Sequence, residues 1–176
     1  MKLLLEHGAD PNVKTIEGNT SLIIATQKDQ YETAKLLLEH GANIDDHENL
    51  SGNVPLHFAV SFRHMRILKL LIENGASIDF KALDGATALT YAVSYKQKEM
   101  AEFLIESGAN INSTCTNLKT PLHFALILNH EEFVLLLLQN GAFSNAKDQD
   151  KRTPIEEGFM RIQMTAIKTM ITYTQC

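Results

Sequence analysis

Four histidines are the first residues of this chain whose type and spacing suggest chemistry. The pentapeptide PLHFA stands at 55–59 and again at 121–125, and each copy is followed by a second histidine seven residues after its first, giving His57, His64, His123 and His130. Four imidazoles could hold a metal. On one unbroken helix, however, His57 and His64 would lie roughly 10 Å apart along the axis, whereas a zinc ligand sits about 2.0–2.1 Å from its ion. Pairing across the two copies is no better if the copies are units of a stack, because they would stand two units apart with neighbouring helices about 8–10 Å from each other. No metal and no cofactor is expected. The string HEE at 130–132 has Val134 where H-E-x-x-H needs its second histidine, and no G-x-S-x-G, P-loop or G-x-G-x-x-G pattern occurs. Asp45, Asp46 and Glu48 read as a solvated acidic loop tip without the glycine and bidentate glutamate spacing of a calcium loop. Cys115 and Cys176 are too few for a disulfide framework or a zinc knuckle and suit a reducing compartment. No catalytic residue is expected, and the chain reads as a non-enzyme.

The elements that position these residues explain the histidines. Gly-Ala recurs at Gly8, Gly41, Gly75, Gly108 and Gly141, and a helix-start position recurs at Thr20, Val54, Thr87, Thr120 and Thr153. Both series step by 33 residues, with one step of 34. The extra residue falls between Gly41 and Val54, in a polar loop where an insertion leaves helical register intact. The two PLHFA copies are two periods apart. Each unit opens on a capping Thr, or Val54 in its place, with Pro at the first helical position in three units, where a missing N–H costs nothing. After a short apolar-periodic stretch and a polar break comes a second amphipathic stretch; in EEFVLLLLQNG the apolar residues Phe133, Val134, Leu137 and Leu138 keep helical spacing. Gly141 then suits a left-handed C-cap, and Glu17-Gly18 and Asp84-Gly85 supply turn chemistry in the link to the next unit.

This unit resembles the ankyrin repeat, with T-P-L-H at the first helix, a Leu-rich second helix ending in Gly-Ala, and an Asp-Gly-type hairpin. The resemblance covers essentially the whole chain. It implies an all-α solenoid of stacked helix-turn-helix units joined by β-hairpin-like loops. The expected organisation is a single domain over 1–176: a partial repeat at 1–14, repeats at 15–48, 49–81, 82–114 and 115–147, and a capping repeat at 148–176. Leu3, Leu4 and Leu5 then lack a first-helix partner, as at a fragment's edge or a worn cap. Thr174 stands where Gly-Ala would close the last unit. In the family the T-P-L-H histidine ties units together through backbone and threonine. His57 and His123 match it, and the junctions with Ile23, Thr90 and Glu156 there should be looser. Leu118 and Lys151 replace hairpin-tip glycines, so the turn is expected to change type in those two hairpins. Gly158, where other units have alanine, should weaken the last helix by about 0.5–1 kcal/mol, so that this unit frays first. Asparagines four residues after the glycine (Asn12, Asn112, Asn145) stand where such domains can be hydroxylated.

Composition narrows the partners. The net charge is -5 and no Lys/Arg run exceeds two residues, which argues against nucleic acid. The longest apolar run, FVLLLL at 133–138, is far short of the roughly 20 residues of a membrane span, and the opening residues lack a signal peptide's apolar core. The chain is therefore expected to be intracellular, cytoplasmic or nuclear, and monomeric, with its N-x-[ST] sequons at Asn19, Asn49 and Asn112 fortuitous. In a solenoid, equivalent positions align into stripes. Eight residues after each helix start stand Lys28, Phe62, Tyr95, Leu128 and Arg161; four before stand Ile16, Leu50, Leu83, Thr116 and Gln149. The resemblance implies that hairpin tips and first helices meet a partner. The expected binding residues are Ile16, Lys28, Leu50, Phe62, Leu83, Tyr95, Thr116, Leu128 and Arg161, an apolar centre with a basic residue at each end and acidic groups of a protein partner meeting Lys28 or Arg161. Readings to weigh against a plain binding module are an inhibitor or decoy that blocks its partner, and a fragment of a larger adaptor. A ubiquitin-ligase substrate receptor would need a further box-like helical segment, for which no room is expected after residue 176.

Overall fold

The computed structural model describes residues 2–161. They form a stack of antiparallel helix pairs with no strand among the described residues. A short α1 (Lys2–Glu6) precedes four pairs: α2 (Ser21–Gln27) with α3 (Tyr31–Glu39), α4 (Pro55–Ser61) with α5 (Met65–Glu73), α6 (Ala88–Ser94) with α7 (Lys98–Glu106), and α8 (Pro121–Ile127) with α9 (Glu131–Gln139). A further helix runs over 154–161 within the described residues. Each first helix has seven residues and each second helix nine. Alone, such lengths are marginal in water, so packing between pairs must supply their stability.

The core is built from repeated positions. Leu22, Leu56, Leu89 and Leu122 line up on the first helices, and Leu37, Leu71, Leu104 and Leu137 on the second, all at 2% exposure or less. Fully burying one such side chain contributes about 1.5–3 kcal/mol. Ala25, Ala59, Ala92 and Ala125 let neighbouring first helices approach closely. At Gly158 even alanine would crowd: a Cβ there would sit 3.0 Å from Leu126 Cβ and 3.3 Å from its carbonyl oxygen. The crowding atoms are the Cβ and backbone of Leu126, so Gly158 suits a close approach of the last two first helices and is not only a weakness of its own helix. The expected cap beyond residue 161, with Thr174 and Cys176, lies outside the described residues. At the other end Leu5 is buried, while Leu3 and Leu4 are exposed.

Helix starts follow the capping rule: Thr20 Oγ1 accepts from the Ile23 N–H at 3.2 Å and Thr87 Oγ1 from Thr90 at 3.4 Å. Val54 has no hydroxyl; there His57 Nδ1 accepts the Val54 N–H at 3.3 Å instead. Thr153 and Glu156 form a reciprocal box, with Glu156 Oε2 accepting from Thr153 N–H and Oγ1 at 2.8 and 2.9 Å.

Two elements link the units outside the core. After the second helices, Asn and Asp side chains bridge neighbouring loops: Asn12 Oδ1 accepts from Asn43 N–H at 2.7 Å, Asp79 Oδ1 from Asn110 at 2.9 Å, and Asn112 Oδ1 from Phe143 at 2.8 Å. Hairpin tips are joined by one backbone bond each, Asn49 N–H to Glu17, Leu83 to Ser51, Thr116 to Asp84 and Gln149 to Asn117, all 2.8–3.0 Å. The glycines at the tips are demanded by this stacking. Gly52 has φ +70, and a Cβ there would fall 2.9 Å from Leu83 Cγ. The expected change of turn type at Leu118 and Lys151 does not occur. Both keep the left-handed conformation, φ 62 and 61, because the same closing bonds hold them, Leu118 N–H to Cys115 and Lys151 N–H to Asp148, both 2.9 Å. Each side chain bears about 1–2 kcal/mol of strain instead.

The extra residue of the long period sits in a hairpin tip. Other hairpins close from residue i to i+4, as Ala82 N–H to Ala86 does, but Glu48 N–H reaches Asn53 at i+5. Glu48 fills the enlarged loop. Its Oε1 accepts from Ser51 N–H (2.9 Å), Asn53 N–H (3.1 Å) and Ser51 Oγ (2.5 Å), and its Oε2 from Leu50 N–H (2.6 Å). The expectation of a solvated acidic tip is therefore wrong. Glu48 is 5% exposed, Asp46 pairs with Lys14 at 3.1 Å, and Asp45 accepts from the Ser77 N–H at 3.1 Å and from its hydroxyl.

Candidate functional site

One face of the stack carries three aligned rows. The first is the hairpin tips: Ile16 is 97% exposed, Leu50 83% and Leu83 67%, and Thr116 is exposed. Hydrogen bonding revises the register of Leu50. Asn49, not Leu50, donates to the preceding hairpin as Leu83 does, so Leu50 is the bulged extra residue and projects from the tip. Counting back from Val54 could not reveal this, since the insertion lies between the two.

The edge row is Lys28, Phe62, Tyr95 and Leu128, each the C-cap of its first helix. Phe62 and Tyr95 are about half exposed and Leu128 is 38% exposed. Lys28 and Arg161 are also exposed, Arg161 on the last described helix.

Between these rows lies a middle one that the sequence reading missed: Ile24, Phe58, Tyr91 and Phe124, all half-buried. They stand four residues before the edge row, one helical turn away on the same face. The i, i+4 aromatic pairs Phe58/Phe62 and Tyr91/Tyr95 were the available signal. Phe58 and Phe62 are stacked, centroids 6.4 Å apart and planes at 14°. Phe62 also stacks on His64 at 5.9 Å, and Tyr91 lies 5.8 Å from Tyr95. The Tyr91 hydroxyl donates to Asn53 Oδ1 of the preceding hairpin at 3.1 Å, which ties tip row to middle row. These rings are held by their neighbours, so binding need not order them.

Past Phe124 the middle row turns from apolar to charged. Glu157 takes the next position and pairs with Lys119 at 3.1 Å and with Arg152 at 3.0 Å, while Lys119 also bonds Asp148. Burial opposes ionisation of Glu157, but its bonds from Arg152 and Lys119 outweigh that and lower its pKa.

The histidines divide into two roles. His123 follows the expected tie: Nδ1 lies 3.1 Å from the Thr120 N–H and 2.9 Å from its hydroxyl, and Nε2 donates to the Arg152 carbonyl of the next unit at 3.2 Å. At His57 the tie is looser: its Nε2 is enclosed near the Ala86 backbone of the next unit without closing a full hydrogen bond among the described residues, and its ring packs edge-on against Tyr91 at 5.2 Å. Burial drives its pKa down to about 4, against weaker upward pulls from the Ala86 and Phe80 backbone and from Asp84 and Asp45. The second histidines turn out to be cross-unit ties: His64 Nδ1 donates to the Thr26 carbonyl at 2.7 Å and His130 Nδ1 to Val93 at 3.0 Å. His57 and His64 are not on one helix, because α4 ends at Ser61 and His64 caps α5. Among the described residues no group of three or more His, Cys, Asp or Glu is placed to hold a metal, and no helix is long and apolar enough to cross a membrane. Cys115 is buried with its thiol against Asn117 Oδ1 and the Lys119 carbonyl, and burial raises its pKa. Asn12 and Asn112 are engaged at both ends of their side chains, the amide of each also donating to a glycine carbonyl at 3.2 Å; Asn145 is exposed.

Stacked helix pairs, tips joined by single backbone bonds and a fixed, half-exposed aromatic face define a helical repeat module of the kind that binds proteins. The family model for ankyrin repeats (3 copies) matches residues 1–82 and 74–150, and the chain belongs to the ankyrin repeat family. Ankyrin repeats are protein-interaction modules and generally non-enzymatic. The chain is similar to human "Ankyrin repeat and SOCS box protein 16", 43% identical over 61 residues, covering 35% of this chain and 14% of that protein. It is 41% identical over 58 residues to "Probable E3 ubiquitin-protein ligase XBOS33" of Oryza sativa subsp. japonica, 33% of this chain and 11% of that one. A "Putative ankyrin repeat protein" of Rickettsia felis is 42% identical over 60 residues, 31% of this chain and 26% of its own. The matched stretch is thus about a quarter or less of each relative's length.

Proposed function

We propose that the inner face acts without catalysis, taking up an apolar or amphipathic segment of a protein partner. Tip residues Ile16, Leu50, Leu83 and Thr116 would flank the segment on one side, and Lys28, Phe62, Tyr95, Leu128 and Arg161 on the other. The observation that carries this is the half-exposure of Phe62 and Tyr95, large rings held by neighbours at successive positions of one face. Aligned exposed apolar groups mark interfaces, and rigid aromatics are favoured anchors there.

The test is capture of partners on immobilised wild-type chain beside the Phe62→Ala/Tyr95→Ala double variant. Proteins that bind the face are retained by the first and lost by the second, with thermal unfolding of the two unchanged. Equal retention by both would exclude this face. An inhibitor or decoy would additionally block its partner's activity on binding; a scaffold would not. The reading as part of a larger adaptor gains support from the relatives' lengths, since the SOCS-box and ligase proteins carry much sequence outside the stretch they share with this chain.

A further inference from the structure

The turns joining first to second helix carry a feature that the apolar face does not use. In each pair the residue after the C-cap is left-handed: Asp29 (φ 53), Arg63 (φ 62), Lys96 (φ 56) and Asn129 (φ 54). Asp and Asn adopt this conformation readily, and glycine does so without strain. The two central turns instead hold cations there, directly after Phe62 and Tyr95.

The next residue in the four turns is Gln30, His64, Gln97 and His130. Both histidines donate to a carbonyl of the preceding first helix, at Thr26 and Val93. Gln97 makes no such bond to Val60, the equivalent position. Its side chain is 6% exposed, and its Oε1 is enclosed without a hydrogen-bond partner among the described residues. Where this tie is missing a cleft of about 350 Å³ lies between the two turns, lined by Arg63, Lys96, Gln97, Lys98 and Glu99, with Met65 and Met100 as its apolar part. Among the described residues Arg63 and Lys96 form no ion pair, and Lys98 reaches only the exposed Glu102 at 3.8 Å. With three cations against Glu99, the lining is net positive on a chain whose net charge is -5. Three cations around a cleft with an apolar part call for carboxylates next to apolar groups. A short acidic stretch of polypeptide with apolar neighbours offers both.

We propose that this cleft binds an acidic stretch of the partner, with adjacent Asp or Glu side chains meeting Arg63, Lys96 and Lys98 and its apolar neighbours meeting Met65 and Met100. The inference rests on the reading of the inner face, because the same segment would continue over Phe62 and Tyr95. It moves the acid contacts from Lys28 and Arg161, at the ends of the stack, to its centre.

The test uses the ¹⁵N-labelled full chain titrated with acetyl-Leu-Asp-Asp-Leu-amide. The amides of Lys96, Gln97 and Lys98 and the Gln97 side-chain amide should move, saturating in the millimolar range expected of a few exposed ion pairs. The Asn-Asn analogue should bind more weakly, and salt should weaken the acidic peptide. Arg63→Gly and Lys96→Gly each remove a charge while relieving a left-handed backbone. Both should therefore unfold at or above the wild-type temperature yet bind about twofold to fivefold more weakly each. Absence of shifts at these amides, or glycine variants that bind like wild type, overturns the proposal. Inorganic phosphate moving the same resonances as strongly as the peptide also overturns it, in favour of a simple anion site. The Phe62→Ala/Tyr95→Ala chain separates the two readings. If it loses its partners but keeps the peptide shifts, both stand. If it keeps its partners while the shifts persist, only the face fails; if wild type shows no shifts while the double variant loses partners, only the cleft fails.

Discussion

Glu48→Gln tests whether the enlarged hairpin is held by one carboxylate. Glu48 accepts from three backbone N–H groups and a hydroxyl. Burial pushes its pKa up, but the bonds from Ser51, Asn53 and Leu50 outweigh that and bring it from the ordinary 4.5 down to about 2. At 1.36 kcal/mol per pH unit this corresponds to about 3 kcal/mol of preference for the charged form, and about 2–3 kcal/mol is a fair expectation for stability. Glutamine keeps the shape but replaces one acceptor oxygen with an NH₂ group that would face an N–H donor. Because the unfolded chain takes up a proton near pH 4.5 and the folded chain only near pH 2, this stabilisation is fully present above pH 4.5 and is lost as pH falls through about 2. Urea unfolding followed by far-ultraviolet circular dichroism should show the variant about 2–3 kcal/mol less stable at pH 7, with the gap closing on acidification. A gap under about 0.5 kcal/mol at pH 7, or one independent of pH, would refute the reasoning. The denaturant slope must be compared as well, since a repeat stack can lose cooperativity and unfold in parts.

Two further predictions concern the core. His57 is buried as the neutral ring with its pKa lowered from 6.5 to about 4, so its contribution to stability is complete above pH 6.5 and falls by up to about 3 kcal/mol as pH drops toward 4; ¹³C NMR of the imidazole should titrate near 4, and a midpoint above 6 would contradict this burial. Gly158→Ala, which in an open helix would stabilise by about 0.5–1 kcal/mol, should instead destabilise by about 1 kcal/mol because its Cβ meets Leu126 Cβ at 3.0 Å and the Leu126 carbonyl oxygen at 3.3 Å; urea unfolding measures it, and a variant more stable than wild type would refute the crowding.

The fold was legible because its determinants are local and repeated. A glycine after each second helix, a cap before each first helix and an apolar period between them recur in phase, and each specifies its element without help from distant residues. The proposed binding face was only half legible. Its edge row stood out because Phe62, Tyr95 and Leu128 are large apolar residues at helix ends, where polar ones are usual. Its middle row did not, because Phe58 and Phe124 lie inside PLHFA and pass for core. Only packing shows that they are half-buried. The hairpin register was hidden for a different reason: an insertion can be located by counting only to the segment between two landmarks, and it took the Glu48–Asn53 bond to find the extra residue at Leu50. The second histidines and Gln97 were beyond sequence altogether, since a tie to the preceding unit, or its absence, exists only once two units are stacked.

The dimensions of the stack bound what the face can hold. Neighbouring first helices lie about 8–10 Å apart, so Phe58 to Phe124 spans two intervals, roughly 20 Å. An extended chain advances about 3.3 Å per residue, and about six residues would cross these three units. Beyond Phe124, Glu157 and its partners Lys119 and Arg152 offer charge already satisfied within the protein. An apolar residue placed there would strip water from that network and gain no contact in return. On the other side of Phe58 the row passes to the smaller Ile24, beside Lys28. Apolar contact is therefore concentrated on the three central units, and anchors of a partner segment need to recur at about every third residue of an extended chain to match Phe58, Tyr91 and Phe124. In a helical segment, at 1.5 Å per residue, the matching interval is about six to seven residues. Systematic shifts of anchor spacing in synthetic segments would therefore read out the conformation in which a partner lies on this face, independently of which protein supplies it.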